Sequence, residues 1–319
     1  MISRRQFMSA AAAASTASLV AQQSYEWGGP VLDIHLHLRP NGESNFAHIE
    51  GSGVTRAVLL TRVQAVDQAK ALAEKHRGRF VWFVSADVTK PESAGLLTKA
   101  VKDGALGLGE IKYQVQCDGP EMKRMYALAA ELKAPIQIHF GDVPQASGNV
   151  VFNGGFKRFD AMLKAFPKTR FIAHADTFWV NVSSDYNYDT AYPEGPIKPG
   201  GLSDKWLSDY PNLYGDMSAN SCNNALNRDP EFSTGSWPGI RTNSCSAATA
   251  RAPTGVEEVR RTPRRGSTGS ASRARRWRRS RVFQNPKFSV NFVGKMARSC
   301  WVCRARISGI LPPAYAVRR

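Results

Sequence analysis

Short apolar runs recur along residues 30–218, most of them separated by stretches of helical periodicity, and this alternation limits the fold more than any other feature. The first run is Pro30-Val31-Leu32, leading into Asp33-Ile34-His35-Leu36-His37-Leu38-Arg39-Pro40. Six more read as strands over 55–61, 79–85, 105–112, 135–140, 169–174 and 212–218. Helical patterns fall between them at 66–76, 92–102, 120–132 and 156–166. Asp118 precedes the third of these, with Glu121 three residues later, and reads as its cap.

Strands that alternate with helices pair in parallel, because each crossover must carry the chain back to the same edge. Seven such units approach the eight that close a TIM-like (β/α)8 barrel, the expected fold. An eighth strand and a closing helix are not legible, so both are expected to be lost. In such a barrel, chemistry sits at the C-terminal strand ends. Of the six histidines, His35, His37, His139 and His174 fall at strand ends, as does Glu110, while His48 and His76 read as surface residues.

Residues two apart on a strand share a face, so Asp33, His35 and His37 are expected to point one way and Ile34, Leu36 and Leu38 the other. Two imidazoles on one face can reach one cation, and imidazole nitrogen is a common ligand of zinc and similar metals. The segment 178–201, rich in Tyr, Asn, Pro and Gly, is expected to shape a pocket, with Trp179, Tyr186, Tyr188 and Tyr192 facing a ligand.

On His35-x-His37 in strand one, His139 in strand five and His174 in strand six, the chain resembles the amidohydrolase superfamily, in its "amidohydrolase 2" branch. The resemblance covers residues 30–230 and implies metal-assisted hydrolysis of a small-molecule substrate. It makes His35, His37 and His139 ligands of a divalent ion, zinc above others. Glu110 resembles the strand-four acid of some branches and is a further candidate ligand; Lys112 ranks below it as a counterpart of a carbamylated lysine. His174 would orient the scissile carbonyl, and Asp33 would support the first-strand histidines. The branch also contains decarboxylases, so the target bond is C–N, ester or C–C.

The resemblance also implies a catalytic Asp ending strand eight, and none is present. After Phe232 the composition shifts to Arg, Ser, Ala, Gly and Thr. Residues 1–233 hold 24 basic and 24 acidic side chains, whereas the rest hold 19 and 2, which is the whole net charge of +17. Codons read one base out of register explain this. From Asn243 to Gly255 the shifted frame can spell Leu-Leu-Phe-Gly-Ser-Asp, an eighth strand ending in the missing acid. Some letters are forced: Trp237-Pro238 must give Ala, and Met296-Ala297 and Trp301-Val302 must each give Gly. Residues 234–319 therefore read as an out-of-frame, disordered tail on an incomplete hydrolase unit spanning 30–233. Asp176 and Asp216 are possible substitutes for the acid, though no spacing argues for either.

Residues 1–29 read as a twin-arginine export signal and linker, with Arg4-Arg5 ahead of an apolar run too short to span a bilayer. A periplasmic protein follows, touching membrane only through that signal. Two other readings compete. An Arg-rich tail could bind nucleic acid or an acidic surface, with structural histidines, although nucleic acid is not the expected partner. A metal-dependent nuclease of the same superfamily rests on Glu110 alone. Five cysteines give no disulfide framework, and Cys300-x-x-Cys303 lacks a partner pair. Oligomeric state is not legible.

Overall fold

In the computed structural model, residues 31–142, 150–235 and 244–245 are described. Residues 1–29, read as an export signal and linker, lie outside the described residues, as do the segment 236–243 and the tail beyond Cys245 with Cys300 and Cys303, where a closing helix was expected to be lost.

Eight parallel strands form one sheet in chain order: β1 (Leu32–His37), β2 (Arg56–Arg62), β3 (Phe80–Ser85), β4 (Gly107–Ile111), β5 (Ile136–His139), β6 (Phe171–His174), β7 (Leu213–Asp216) and β8 (Ser244–Cys245). Four expected helices are present as α2 (Val66–Lys75), α3 (Ser93–Lys102), α4 (Pro120–Glu131) and α5 (Phe159–Ala165), after a single turn of 3-10 helix at Phe156–Arg158. Further helices fill stretches without a clear apolar period: α1 (Glu43–Gly51), α6 (Asp176–Val180), α7 (Leu202–Asp209), α8 (Ala219–Asn227) and α9 (Pro230–Gly235). The eighth strand, expected to be lost, is reduced to two residues. Ser244 and Cys245 pair with Gly215 and Asp216, in the stretch whose shifted reading spells a strand.

The sheet curls. Ile34 of β1 shares an apolar cluster with Val58 and Leu60 of β2, Phe83 of β3, Ile172 of β6 and Tyr214 of β7. In a flat sheet β1 and β7 would stand about 29 Å apart, six spacings of about 4.8 Å. Only a barrel-like curvature lets their side chains meet. The opposite faces of the strands, including Leu59, Trp82, Leu108, Ile138 and Phe171, join Leu72, Leu97, Met125, Phe159 and Trp206 of the helices in a second, larger core. Among the described residues the order ends at β1 and β8 with no ladder between them.

Three local expectations are corrected. Ile34 and Leu36 do not share a face: Ile34 packs inside the curl and Leu36 in the outer core. The cause is a shift in the β1–β2 ladder between Asp33 and Leu36, which breaks the alternation. Asp118 is not a cap; α4 starts at Pro120 after Gly119, and the Asp118 carboxylate instead takes a forked pair of hydrogen bonds from Arg158 at 2.8 and 2.9 Å. His48 is buried, with both ring nitrogens unpartnered, and His76 stacks on Phe46 with ring centres 3.9 Å apart.

Candidate metal centre

The four strand-end histidines and Glu110 converge at the C-terminal rim of the sheet. Backbone irregularity helps bring them there. The β1 ladder shifts around His35, and the β4 ladder shifts between Leu108 and Ile111, around Glu110. Gly109 adopts φ +144°, and a Cβ there would fall 2.8 Å from Cβ of Gln137, so only glycine lets β4 lie this close to β5. Asn153 then ties the two strand ends together, its side-chain amide donating to the carbonyls of Ile111 and His139, both at 2.8 Å. Asn45 does the same for β1, donating to the carbonyl of His37 at 2.8 Å. His139 and His174 sit opposite each other in the β5–β6 register.

The Glu110 carboxylate lies at the middle of the group. Its Oε1 is 2.6 Å from Nδ1 of His139 and 3.8 Å from Nε2 of His174, and its Oε2 is 3.5 Å from Nε2 of His37. His35 joins through His37, their Nε2 atoms 3.2 Å apart. Glu110 and His35, His139 and His174 are largely buried, whereas His37 is exposed at the rim.

Electrostatics follow from that packing. Burial pushes the Glu110 carboxyl up, but the His139 hydrogen bond and the surrounding imidazoles outweigh it and hold it well below the usual carboxylate range. Burial pulls His35 down, yet the Asp216 carboxylate overcomes this and raises it to about 9. His174, buried and beside His35, falls to about 3. His35 thus lies between two carboxylates, Asp216 on its Nδ1 side and Glu110 beyond His37.

The donor set fits a divalent ion. Two imidazoles on a tetrahedral ion, with bonds of about 2.0–2.1 Å, place their nitrogens about 3.3 Å apart, and those of His35 and His37 are 3.2 Å apart. Single ligand atoms of His35, Glu110 and His174 all lie within 4.8 Å of one another. His139 keeps Nε2 buried with no hydrogen-bond partner.

Asp33 takes a different place from its neighbours. Its Oδ1 accepts the backbone N–H of His35 at 2.8 Å, and its Oδ2 is buried without a partner. It fixes the backbone of the first-strand histidine rather than a ring. Burial raises its carboxyl to about 7. Lys112 is exposed, its Nζ 4.9 Å over the ring of Phe152.

A second layer is absent from the sequence reading as an assignment. Asp216 accepts from Nδ1 of His35 at 2.7 Å and from the Gln137 side-chain amide at 2.8 Å. Ser218 Oγ is 2.8 Å from Nδ1 of His174. The available signal was period two: Gln137 precedes His139 by two residues, and Tyr214, Asp216 and Ser218 share parity. The pocket-loop expectation is also corrected at Trp179. That residue is fully buried on α6, donating its indole N–H to the Asp216 carbonyl at 2.9 Å. Tyr186 and Tyr188 pack with Val180 and Ala191 in a separate small cluster, and Tyr192 is exposed.

No protein-family model matches the sequence, and no curated protein sequence matches it. Solved structures do. A provisionally assigned amidohydrolase from Staphylococcus aureus aligns at 12% identity and TM-score 0.44, over 69% of this chain and 88% of that one. A provisionally assigned 2-pyrone-4,6-dicarboxylic acid hydrolase from Acinetobacter baumannii aligns at 11% and 0.42, over 68% and 82%. A 2,6-dihydroxybenzoate decarboxylase from Rhizobium aligns at 10% and 0.38, over 88% and 96%.

Proposed function

We propose that this chain is a metal-dependent hydrolase of the amidohydrolase type, acting on a C–N, ester or C–C bond of a small molecule. Its turnover is impaired by loss of the strand-eight acid. The observation that carries this reading is the meeting of His37, His139 and His174 on one buried carboxylate, Glu110, with His35 beside them. Three imidazoles and an acid from four strands meet there, the nitrogen and oxygen donors that a divalent ion takes.

His35, His37, His139 and Glu110 are the residues that would hold the ion, and this nitrogen-rich set suits zinc. Such an ion, when bound, lowers the pKa of a water toward neutrality. His174 is placed to orient a scissile carbonyl, with Nδ1 occupied by Ser218 and Nε2 turned toward Glu110. It also lies in the tight donor group with His35 and Glu110, which supports a share in holding the ion. Asp33 steadies β1 from behind. The Arg4-Arg5 pair ahead of an apolar run supports export to the periplasm as the cellular setting.

Titration of the purified full chain with Zn2+ tests the reading, alongside His35→Ala and Glu110→Ala. Tight binding by the parent, lost in both variants, is expected, and a parent that binds no cation overturns it. A panel of amide, ester, carboxylate and phosphodiester substrates then separates hydrolase, decarboxylase and nuclease. Nucleic-acid binding that survives physiological salt and disappears on deleting residues 234–319 would favour the competing binding protein instead.

A further inference from the structure

We infer that Asp216 and Ser218, at the end of β7, form a positioning pair that aims two imidazoles from different strands at the cation site. This rests on the metal-centre reading. The two residues come from one turn: Oδ1 of Asp216 accepts the backbone N–H of Ser218 at 2.9 Å, which fixes their relative placement. From it, Oδ2 of Asp216 reaches Nδ1 of His35 at 2.7 Å and Oγ of Ser218 reaches Nδ1 of His174 at 2.8 Å. Each ring is therefore held by its Nδ1. Each turns the other nitrogen toward the centre: Nε2 of His35 faces Nε2 of His37 at 3.2 Å, and Nε2 of His174 faces Glu110 at 3.8 Å.

The arrangement excludes another role for Asp216, that of stand-in for the missing strand-eight acid. Its side chain is fully buried, and both oxygens are engaged. Oδ1 serves Ser218, while Oδ2 serves His35 and Gln137 and lies 3.5 Å from Nδ1 of His174. Neither oxygen is exposed to a water that could give up a proton. What it can do is keep Nδ1–H of His35 as a donor, so that Nε2 is the nitrogen a cation finds. Gln137 locks the carboxylate in turn, its amide also donating to the Ile34 carbonyl at 3.2 Å. Outer partners of this kind fix the tautomer and orientation of ligating histidines, and their loss costs about 10–100-fold in metal affinity.

Zn2+ affinity by chelator competition, on the full chain, tests the pair through Asp216→Ala, Asp216→Asn and Ser218→Ala, with His35→Ala as reference. Expected are a loss of about 10–100-fold in Asp216→Ala, a smaller loss in Asp216→Asn, which keeps an acceptor oxygen, and a measurable loss in Ser218→Ala. Nitrogen-15 shifts of His35 in the Zn2+-loaded protein should report a protonated Nδ1 in the parent and a mixture of Nδ1-bound and Nε2-bound forms in Asp216→Ala. If His35→Ala abolishes binding while the three β7 variants bind as the parent does, the positioning role is overturned and the metal centre stands. If His35→Ala also leaves affinity unchanged, the metal-centre reading itself fails. Should Asp216→Ala not fold, Asp216→Asn and Ser218→Ala decide the matter by the same two measurements.

Discussion

Nδ1 of His35 and Oδ2 of Asp216 stand 2.7 Å apart, joining the first strand of the sheet to the seventh across 181 residues. The pair is buried and lies directly beneath the candidate metal centre. It ties the curl of the sheet to the aim of a candidate ligand, so the quality of the site depends on how the sheet's distant strands are brought together.

Glu110 should dominate cation binding. Among the described residues, its carboxylate is the one acid that three of the imidazoles approach directly. Glu110→Gln keeps the shape and removes the charge. Its loss of Zn2+ affinity, measured by calorimetry, should be at least the about 10–100-fold expected for removing a mere supporting residue. Unchanged affinity would show that the site does not use this acid.

Gly109→Ala should destabilise the fold by about 2–4 kcal/mol, combining strain at positive φ with overpacking. The added methyl would meet Gln137 Cβ at 2.8 Å and its carbonyl oxygen at 3.0 Å. Urea midpoints measure this. Zn2+ binding should weaken in the same variant, because β4 must move away from β5 and carry Glu110 with it.

Asp33 should make metal-free stability fall with rising pH. Its folded pKa, about 7, lies above the ordinary 3.8. The folded chain therefore keeps a proton that the unfolded chain has released between those values. Its contribution is fully present below about pH 4 and lost as pH rises through about 7. Asp33→Asn keeps the acceptor for the His35 amide without burying a charge. Relative to the parent it should be near neutral at pH 4 and more stable at pH 8, by up to about 4 kcal/mol for a shift of this size. Equal pH slopes in the two proteins would contradict the assignment.

Cys117 and Cys222 should resist alkylation in the folded state. Both are buried; burial pushes the Cys117 thiol up to about 12 and holds that of Cys222 well above its ordinary range. At pH 8, peptide mapping after iodoacetamide should find both unmodified until urea is added. Rapid labelling of either in native buffer would count against this packing.

Much of the site was legible because its determinants are local. An apolar run followed by His, or by Gly-Glu, marks a strand and its end within a few residues. The resemblance then named His35, His37, His139 and His174, with Glu110 beside them. The helices α1, α7 and α8 escaped because their apolar positions are few, so packing against the sheet and not pattern holds them. His48 was misread for a related reason: a polar side chain gives no local sign of being covered by neighbours.

What the sequence by itself determined is the repeat of parallel strands and the five ligand-capable side chains at their C-terminal ends, since both follow from short-range periodicity. What only the tertiary structure decided is which partners those side chains meet. The ladder shift in β1 separates Ile34 from Leu36, and Trp179 is drawn into the core. Curvature brings Asp216 under His35 and Ser218 against His174. Such pairings depend on how far a whole sheet bends, a property of all its strands together that no single segment encodes.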